Sequence, residues 1–329
     1  MRLRLQLIKC IRLALPLFFL SISCAHADLI ADLVLSPQNP GPYQSITVTL
    51  TSYDFDVDSA DISWTINGKA GSSGPGAKQI RVNTGPVGSA INVATKAKLP
   101  NGQVFQAAMT ITPASVDLVW ESPESYVPPF YEGRSLPGEG AQVRVTATPY
   151  ISSGGKIIAP ENISYAWYKN DEFLDTDSGR GRQALNVNLE YLTDVTTIKV
   201  IARTGDGLTA TKSIDIYPHE IRPVFYLYDP VLGLDLTNAI LKRFETTKEF
   251  TLKLVPYFFS LNNGAGAGAT FSWNIDGLPI VTEDDTTVTL RPKDGAYGSR
   301  MLGVAIANST RILQTIESSI NIVFDTRNE

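Results

Sequence analysis

The sequence predicts an all-β protein that folds as three tandem antiparallel β-sandwiches behind an N-terminal signal peptide. A tryptophan followed by a short turn recurs at intervals of about 100 residues, the size of one small domain. Short runs alternate apolar and polar residues, as half-buried strands do, and there is almost no sustained helical periodicity. The three copies are Trp64-Thr65-Ile66-Asn67-Gly68, Trp167-Tyr168-Lys169-Asn170-Asp171 and Trp273-Asn274-Ile275-Asp276-Gly277.

The first 27 residues form an export signal by their pattern. A basic start is followed by an apolar stretch over residues 13–22, and Ala25-His26-Ala27 supplies the small-x-small cleavage pattern. We therefore predict cleavage after Ala27 and a secreted or cell-surface protein. Two alternatives stay open: an uncleaved signal that anchors the chain, and lipid attachment at Cys24.

Cleavage at that point would remove both cysteines of the chain, Cys10 and Cys24, so the mature protein could form no disulfide. It would also remove four basic residues from a chain whose formal net charge is already −5. Acidic surfaces do not hold nucleic acid, which is bound by Lys and Arg patches. No later segment approaches the roughly 20 apolar residues of a membrane span, so the mature chain is expected to have none.

Similar runs of alternating apolar and polar residues surround each tryptophan in the chain, and each of these runs is predicted to be a strand. The tryptophan strand stops at Asn-Gly, Asn-Asp or Asp-Gly, residues that tolerate the positive φ of a tight hairpin turn. Alternating runs precede it, follow it and close the unit. These runs are residues 46–50, 91–94 and 109–111, then 143–147, 198–201 and 214–216, then 250–254, 302–305 and 320–322.

The repeat predicts the domain boundaries. After the signal peptide at residues 1–27, the domains are expected at 28–113, 114–218 and 219–329. The links between them are a few residues long, contain proline and lack the Gly/Ser runs of a flexible tether. We therefore expect a semi-rigid rod.

About seven short strands per domain, with a tryptophan on the third or fourth, are typical of an immunoglobulin-like sandwich. The mature chain resembles the tandem Ig-like or PKD-like domains of bacterial surface proteins. It lacks the Trp-Asp-Phe-Gly-Asp-Gly of typical PKD domains, and Trp64-Thr65-Ile66-Asn67-Gly68 is nearer to the Ig-like version. Within that class it is similar to exported proteins, some of which act with type IV pili. The resemblance implies an appendage partner and carries over no functional residue.

Few catalytic groups are available. The expected mature chain has one histidine, His219, which lies in a Pro-flanked link without a nucleophile elbow nearby. Paired carboxylates are the remaining enzymatic possibility, because glycoside hydrolysis needs only two. The candidates are Glu283-Asp284-Asp285 and the aspartates at 54, 56 and 58, which are explained more simply as solvated turn residues. We predict that the protein is not an enzyme and has no cofactor apart from a possible calcium ion.

The possible calcium site is an aspartate-rich loop before the first tryptophan strand. Alternate aspartates place carboxylates on one side of an extended segment, and Ca²⁺ takes six to eight oxygen ligands. The alternative is an acidic loop whose aspartates form Asx-turns. The candidate ligands are Asp54, Asp56, Asp58 and Asp61.

An aromatic, proline-containing segment in the second domain is a possible binding strip, with Tyr126, Phe130 and Tyr131 as its candidate residues. Aromatic side chains and rigid prolines lose little entropy on binding, which favours a recognition surface. The alternative is a crossover that packs over the second sandwich.

These observations favour an exported, non-enzymatic rod that acts through protein–protein contacts at the cell surface, with an accessory role in a pilus-like appendage as the hypothesis. Strand addition at an open sandwich edge is the expected mode of contact. The alternative is a carbohydrate- or host-binding adhesin with a glycan ligand. A carboxylate hydrolase is the third hypothesis.

Overall fold

A computed structural model of the chain describes residues 30–261, 268–282, 284–311 and 313–326. It confirms the predicted fold class: three successive two-sheet β-sandwiches, each closed over its own apolar core. The predicted signal peptide, Cys24 and the cleavage site at Ala27 lie outside the described residues. None of the described helices is long and apolar enough to cross a membrane.

The first sandwich packs a three-stranded sheet, in the order β1-β2-β5, on a four-stranded sheet, in the order β4-β3-β6-β7. All pairs are antiparallel. Its strands are Ala31–Ser36 (β1), Ser45–Ser52 (β2), Asp61–Ile66 (β3), Lys69–Pro75 (β4), Gln79–Asn83 (β5), Ile91–Lys98 (β6) and Val104–Ile111 (β7).

The second sandwich repeats this plan with sheets β8-β9-β15 and β13-β12-β16-β17, and β14 also pairs with β12. Two short 3-10 helices, Pro160–Asn162 and Asp175–Asp177, lie in its loops. Its strands are Ser115–Glu121 (β8), Gln142–Tyr150 (β9), Ser152–Ser153 (β10), Lys156–Ile157 (β11), Ser164–Lys169 (β12), Glu172–Phe173 (β13), Gly179–Arg180 (β14), Ala184–Asn188 (β15), Thr196–Arg203 (β16) and Thr209–Ile216 (β17).

The third sandwich has the sheets β19-β18-β21-β24 and β20-β26-β25-β22-β23. One pair departs from the antiparallel prediction, because β20 lies parallel to the last strand, β26. Its strands are Arg222–Asp229 (β18), Gly233–Leu234 (β19), Arg243–Thr246 (β20), Phe250–Tyr257 (β21), Ala269–Ile275 (β22), Leu278–Ile280 (β23), Thr287–Leu290 (β24), Tyr297–Asn308 (β25) and Thr315–Asp325 (β26).

The three repeated tryptophans lie in the three cores, where Trp64, Trp167 and Trp273 are at most 3% exposed. Each indole N–H also donates to a backbone carbonyl two residues before the next long strand of the opposite sheet. A buried polar group needs such a partner, because an unpaired one costs about 1–3 kcal/mol. The acceptors are the carbonyls of Ala77, Arg182 and Asp285, at 2.6, 2.8 and 2.9 Å respectively.

The hairpin turn after each tryptophan strand follows the sequence prediction. Its two central residues have positive φ in all three copies, with values of 49° to 80°. The first turn residue also accepts a hydrogen bond from a backbone N–H of the neighbouring strand, which ties the turn to the sheet. The pairs are Asn67 with Asn92, Asn170 with Thr197, and Asp276 with Met301, each at 2.9 Å.

Candidate functional site

Three of the four predicted calcium ligands, Asp54, Asp56 and Asp58, lie in the loop between β2 and β3. The fourth, Asp61, is the first residue of β3. Asp54 accepts the backbone N–H of Ile30 at 2.7 Å, and Asp56 accepts the N–H of Asp58 at 3.0 Å. Asp58 forms an ion pair with Lys78 at 2.8 Å. Within the described ranges, no group of three or more His, Cys, Asp or Glu side chains is arranged to hold a metal. Calcium binding stays a prediction from the sequence.

If this loop binds Ca²⁺, the ion is expected to stabilise the first domain, because a ligand that binds only the folded state raises the free energy of unfolding. At a free concentration 100 times the Kd the gain is about 2.7 kcal/mol. Thermal melting with calcium and with EDTA measures it, and Asp56→Asn is the matched variant. Equal midpoints for the unsubstituted protein in the two buffers would eliminate the site.

The aromatic strip lies where the second and third domains meet. Tyr126 is partly buried and packs against the core of the third domain. The ring of Tyr131 lies 6.1 Å from that of Tyr257 and 6.3 Å from that of Phe258, between centroids. Phe130 instead is 96% exposed and has a φ of 65°. The strip therefore contacts the third sandwich, whereas the packing alternative placed it on the second.

Two tyrosines at this contact have altered ionisation. Burial raises the pKa of Tyr126, with a smaller contribution from Tyr257. Burial also raises the pKa of Tyr257, and its hydroxyl lies 3.0 Å from that of Tyr226. A phenol is neutral at physiological pH even at its ordinary pKa, so both tyrosines serve there as packing and hydrogen-bonding groups.

The segment that contains Tyr126 is joined to the third domain through its backbone. The N–H of Tyr126 donates to the carbonyl of Phe259, and the N–H of Phe258 donates back to the carbonyl of Tyr126, both at 2.8 Å. The N–H of Leu261 donates to the carbonyl of Glu124 at 2.8 Å. The β8–β9 loop thus adds a short antiparallel stretch to the third domain.

An ion pair fastens the same joint. The Arg311 guanidinium donates to the Glu124 carboxylate and to the carbonyl of Gly140. The two charged side chains are only 14% and 25% exposed. The two partners of the pair therefore lie on different domains and are largely withdrawn from water.

Buried polar side chains of the third domain complete this joint. The amide of Gln314, 3% exposed, accepts the N–H of Ser260 at 3.1 Å and donates to the carbonyl of Glu139 in the second domain at 3.3 Å. Asn308 donates to the Gln314 side chain at 3.1 Å. No buried side-chain nitrogen or oxygen lacks a hydrogen-bond partner within the described residues. The joint between domains two and three is a satisfied network.

The joint between the first two domains is held by fewer bonds. Ala114, in the link, donates its N–H to Pro40 at 3.2 Å. Between the domain bodies, Asn39 donates to Thr211 at 3.4 Å. Gly88 of the first domain also donates its N–H to the link, at Pro113, at 3.0 Å. The described residues therefore show fewer hydrogen bonds at this joint than at the joint between domains two and three.

Among the described residues, the candidate catalytic groups do not lie together in one site. Asp284 accepts the backbone N–H and the hydroxyl of Thr286, and the first of these bonds is the main reason that its pKa is lowered. His219 is exposed and its Nδ1 lies 2.9 Å from the carbonyl of Tyr217. Glu283 lies outside the described residues.

An exposed edge strand of the first domain, β7, is the strongest candidate for a binding site. It ends its sheet, with β6 hydrogen-bonded on one side and no described strand hydrogen-bonded on the other. The strand β1 lies near it in space, and just past the end of β7 the N–H of Ala114 donates to the carbonyl of Pro40. Its eight residues, Val-Phe-Gln-Ala-Ala-Met-Thr-Ile, include no charge and no proline. Phe105 points inward onto the core and against Phe55, with ring centroids 5.8 Å apart. The side chains at the even-numbered positions of β7 point outward instead, and that of Val104 is 45% exposed.

The register identifies which backbone groups of β7 face away from its sheet. The N–H and C=O of Asn92 in β6 both point towards β3, where they bond Asn67. Because these directions alternate along a strand, the odd-numbered residues of β6 point towards β7. They pair with the odd-numbered residues of β7. The residues of β7 whose N–H and C=O face the open side are Val104, Gln106, Ala108 and Thr110.

The corresponding strands in the other two domains are protected. In domain two, the edge strand β17 carries exposed Lys212 and Asp215, and edge charges oppose pairing with another chain. In domain three, β20 covers residues 321–324 of β26, and the uncovered part of that strand carries the exposed Glu317. Among the described strands, β7 is the longest edge that has neither charge nor proline. Sequence reasoning missed it, because alternation predicts a strand but not its position in the sheet.

No protein-family model matches the chain, and no curated protein matches it. Many solved structures are similar in fold. Fibronectin(III)-like modules of CbhA from Clostridium thermocellum are 16% identical, with a TM-score of 0.30, over 57% of this chain and 94% of theirs.

Two further structures cover more of the chain. Sidekick-1 immunoglobulin domains 1–5 are 11% identical, with a TM-score of 0.29, over 91% of this chain and 60% of that one. A 1.5-MDa bacterial ice-binding adhesin is 10% identical, with a TM-score of 0.23, over 91% of this chain and 99% of that one. At these TM-scores the likeness carries no functional argument, and the fold assignment rests on the strand pairing described above.

Proposed function

We propose that this protein is an exported, non-enzymatic rod of Ig-like domains that binds a protein partner by strand addition to β7. One observation carries the proposal: β7 is a long, uncharged edge with no described strand hydrogen-bonded to its outer side, whereas β17 and the uncovered part of β26 carry charges. An open edge offers a row of backbone donors and acceptors, which a partner strand satisfies by continuing the sheet.

The proposal places the protein at the cell surface, as an accessory of a pilus-like appendage. Support for the rod comes from the short links and from the bonded joint between domains two and three. Support for a non-enzymatic role comes from the engagement of Asp284 and His219 with local backbone and hydroxyl groups rather than with each other.

The test uses proline at a residue whose N–H faces the open side of β7. Ala108→Pro removes a donor that a partner needs, and leaves the bonds to β6 in place. Loss of one such bond, at about 1–1.5 kcal/mol, weakens partner binding roughly tenfold. The measurement is cross-linking of the tagged protein on intact cells, with mass spectrometry of the captured proteins.

Ser213→Pro is the matched control. The same alternation, read from the bonds between Asn170 and Thr197, places the N–H of Ser213 on the open side of β17. Capture should fall for Ala108→Pro and persist for Ser213→Pro. Equal capture by both variants would contradict strand addition at β7.

An adhesin is the second candidate, and the exposure of Phe130 favours it. This aromatic ring is almost fully exposed on a residue with positive φ, a strained conformation that is found often at ligand-binding sites. Retention of the purified protein on cell-wall or host glycans, without any captured protein, would support the adhesin and contradict the β7 proposal.

A further inference from the structure

We infer that the third domain has a binding site for an alkyl carboxylate, such as a medium-chain fatty acid. The site is a cleft of about 540 Å³ between the two sheets, at the end of the domain opposite to its joint with domain two. Its volume lies within the range of about 300–1,000 Å³ that is usual for small-molecule sites. This inference is independent of strand addition at β7, which lies in the first domain.

The sheet that carries the tryptophan is longer at this end in the third domain than in the other two. One cross-strand pair, four residues before the partner of each tryptophan, is equivalent in the three domains. It is the last pair at this end for β6 with β7 and for β16 with β17, whereas β25 and β26 continue for three more pairs. Three residues lengthen a strand by about 10 Å. The equivalent pairs are Ile91 with Ile111, Thr196 with Ile216, and Arg300 with Ile322.

The inner face of this extension forms one wall of the cleft. Phe324 lies opposite Gly298, which has no side chain, and a Cβ at Gly298 would meet no heavy atom within 4 Å. The ends of β21 and β24 form the facing wall. The cleft is therefore suited to an apolar chain. Its apolar lining residues are Phe250, Ile275, Leu290, Leu302, Ile322 and Phe324.

One cation of the cleft lies where the other two domains have a buried side chain. Arg300 occupies the position of Ile91 and Thr196, on the same face of its strand as the buried Leu302. Its guanidinium donates to Asp276 at 2.8 Å. A guanidinium has five N–H donors, so others remain for a ligand. A charge at the end of an apolar row fits a ligand that is apolar along its length and anionic at one end.

Two more cations line the cleft, and no described acidic residue does. Arg291 pairs with Glu249 at 2.8 Å, and Lys293 is exposed in the loop between β24 and β25. Glu249, Asp276 and Asp294 adjoin these cations but lie outside the lining. Because the formal net charge of the whole chain is −5, this lining is a local exception. It favours an anion over a cationic or neutral ligand.

The loop at the mouth of the cleft is held in place by hydrogen bonds. Thr326 donates its N–H to the carbonyl of Ala296 and its hydroxyl to the carbonyl of Lys293, both at 2.9 Å. With these carbonyls engaged, the charged groups that the mouth offers a ligand are N–H donors of arginine and lysine. Such donors bind carboxylate oxygens strongly. An alkyl chain, in turn, needs no hydrogen-bond partner among the apolar lining residues.

Calorimetric titration of the full chain with octanoate and with octan-1-ol tests the site. Arg300→Gln should weaken octanoate binding about tenfold, the effect of losing one hydrogen bond to a charged group. Octan-1-ol binding should be nearly unchanged, because the alcohol has no charge, and this result also shows that the variant is folded. Decanoate should bind the unsubstituted chain more tightly than octanoate, by about fourfold per added methylene.

Arg243→Gln is the matched control. Arg243 lies on β20, outside the lining, and pairs with Glu245 at 2.6 Å, so its loss should leave octanoate binding intact. In nuclear magnetic resonance spectra of the unsubstituted chain, octanoate should shift the amide signals of Leu302 and Phe324. No octanoate binding, equal weakening by both substitutions, or shifts spread over all three cores would overturn the site. Tighter binding of octylammonium than of octanoate would overturn it as well.

Discussion

Trp167→Ala is expected to unfold the second domain at physiological temperature. The side chain is fully buried, and truncation of a buried tryptophan costs about 3–5 kcal/mol. The carbonyl of Arg182 also loses its indole donor. A loss of this size is a large part of the 5–15 kcal/mol that stabilises a typical domain. Denaturant melts followed by near-ultraviolet circular dichroism measure the change.

Trp120→Ala is the matched control in the same domain. Trp120 is only partly buried, and the Arg134 guanidinium lies 3.7 Å from its ring. Its loss should cost much less than the loss of Trp167. Trp167→Phe separates the two contributions, because it keeps most of the ring volume and removes the N–H. Similar midpoints for Trp167→Ala and Trp120→Ala would mean that the repeated tryptophan does not hold the core.

Arg311→Ala is expected to uncouple the third domain from the second. It leaves the Glu124 carboxylate at the joint without its cation, and it leaves the Gly140 carbonyl without a donor. Breaking a buried ion pair costs about 3–5 kcal/mol, and the partial exposure of this pair places the loss near the lower end. Calorimetry should show the two domains melting separately, and small-angle scattering should show a broader distribution of dimensions.

Arg222→Ala controls for the loss of a positive charge near the same joint. Arg222 pairs with Glu220 at 3.7 Å, and both side chains are more than 70% exposed. Such exposed pairs contribute about 0–1 kcal/mol, so the melting profile should not change. If Arg311→Ala melts like the unsubstituted protein, the ion pair does not couple the domains, and the other contacts of the joint, such as the backbone bonds of Tyr126 and Leu261, hold them.

The repeated features of the fold could be predicted because their causes are local. Burial of a large aromatic and the positive φ of a hairpin turn depend on residues a few positions apart, as at Asn67-Gly68. The joint between domains two and three could not be predicted, because Glu124 and Arg311 are 187 residues apart in the sequence. Each of them, considered by itself, would be predicted to be an ordinary surface charge. The parallel β20 was missed for a similar reason: its four residues gain stability only from β26, far along the chain.

The candidate site could likewise be predicted only in part from the sequence. The sequence indicated open sandwich edges in general, but the importance of β7 comes from a comparison among domains. Lys212 protects one edge and β20 covers part of another, and both facts depend on the order of strands in the sheets. The segment at Tyr126 was also predictable only in part. Its aromatic residues indicated a contact surface, but the surface that Tyr126 contacts is the third domain of the same chain.

The unequal joints have a consequence for how a bound partner would be oriented. Domains two and three form one fastened arm, and the first domain, which carries β7, meets that arm through few described hydrogen bonds. A partner strand added to β7 would therefore hold the first domain, and the direction of the arm relative to that partner would depend on the joint with fewer bonds.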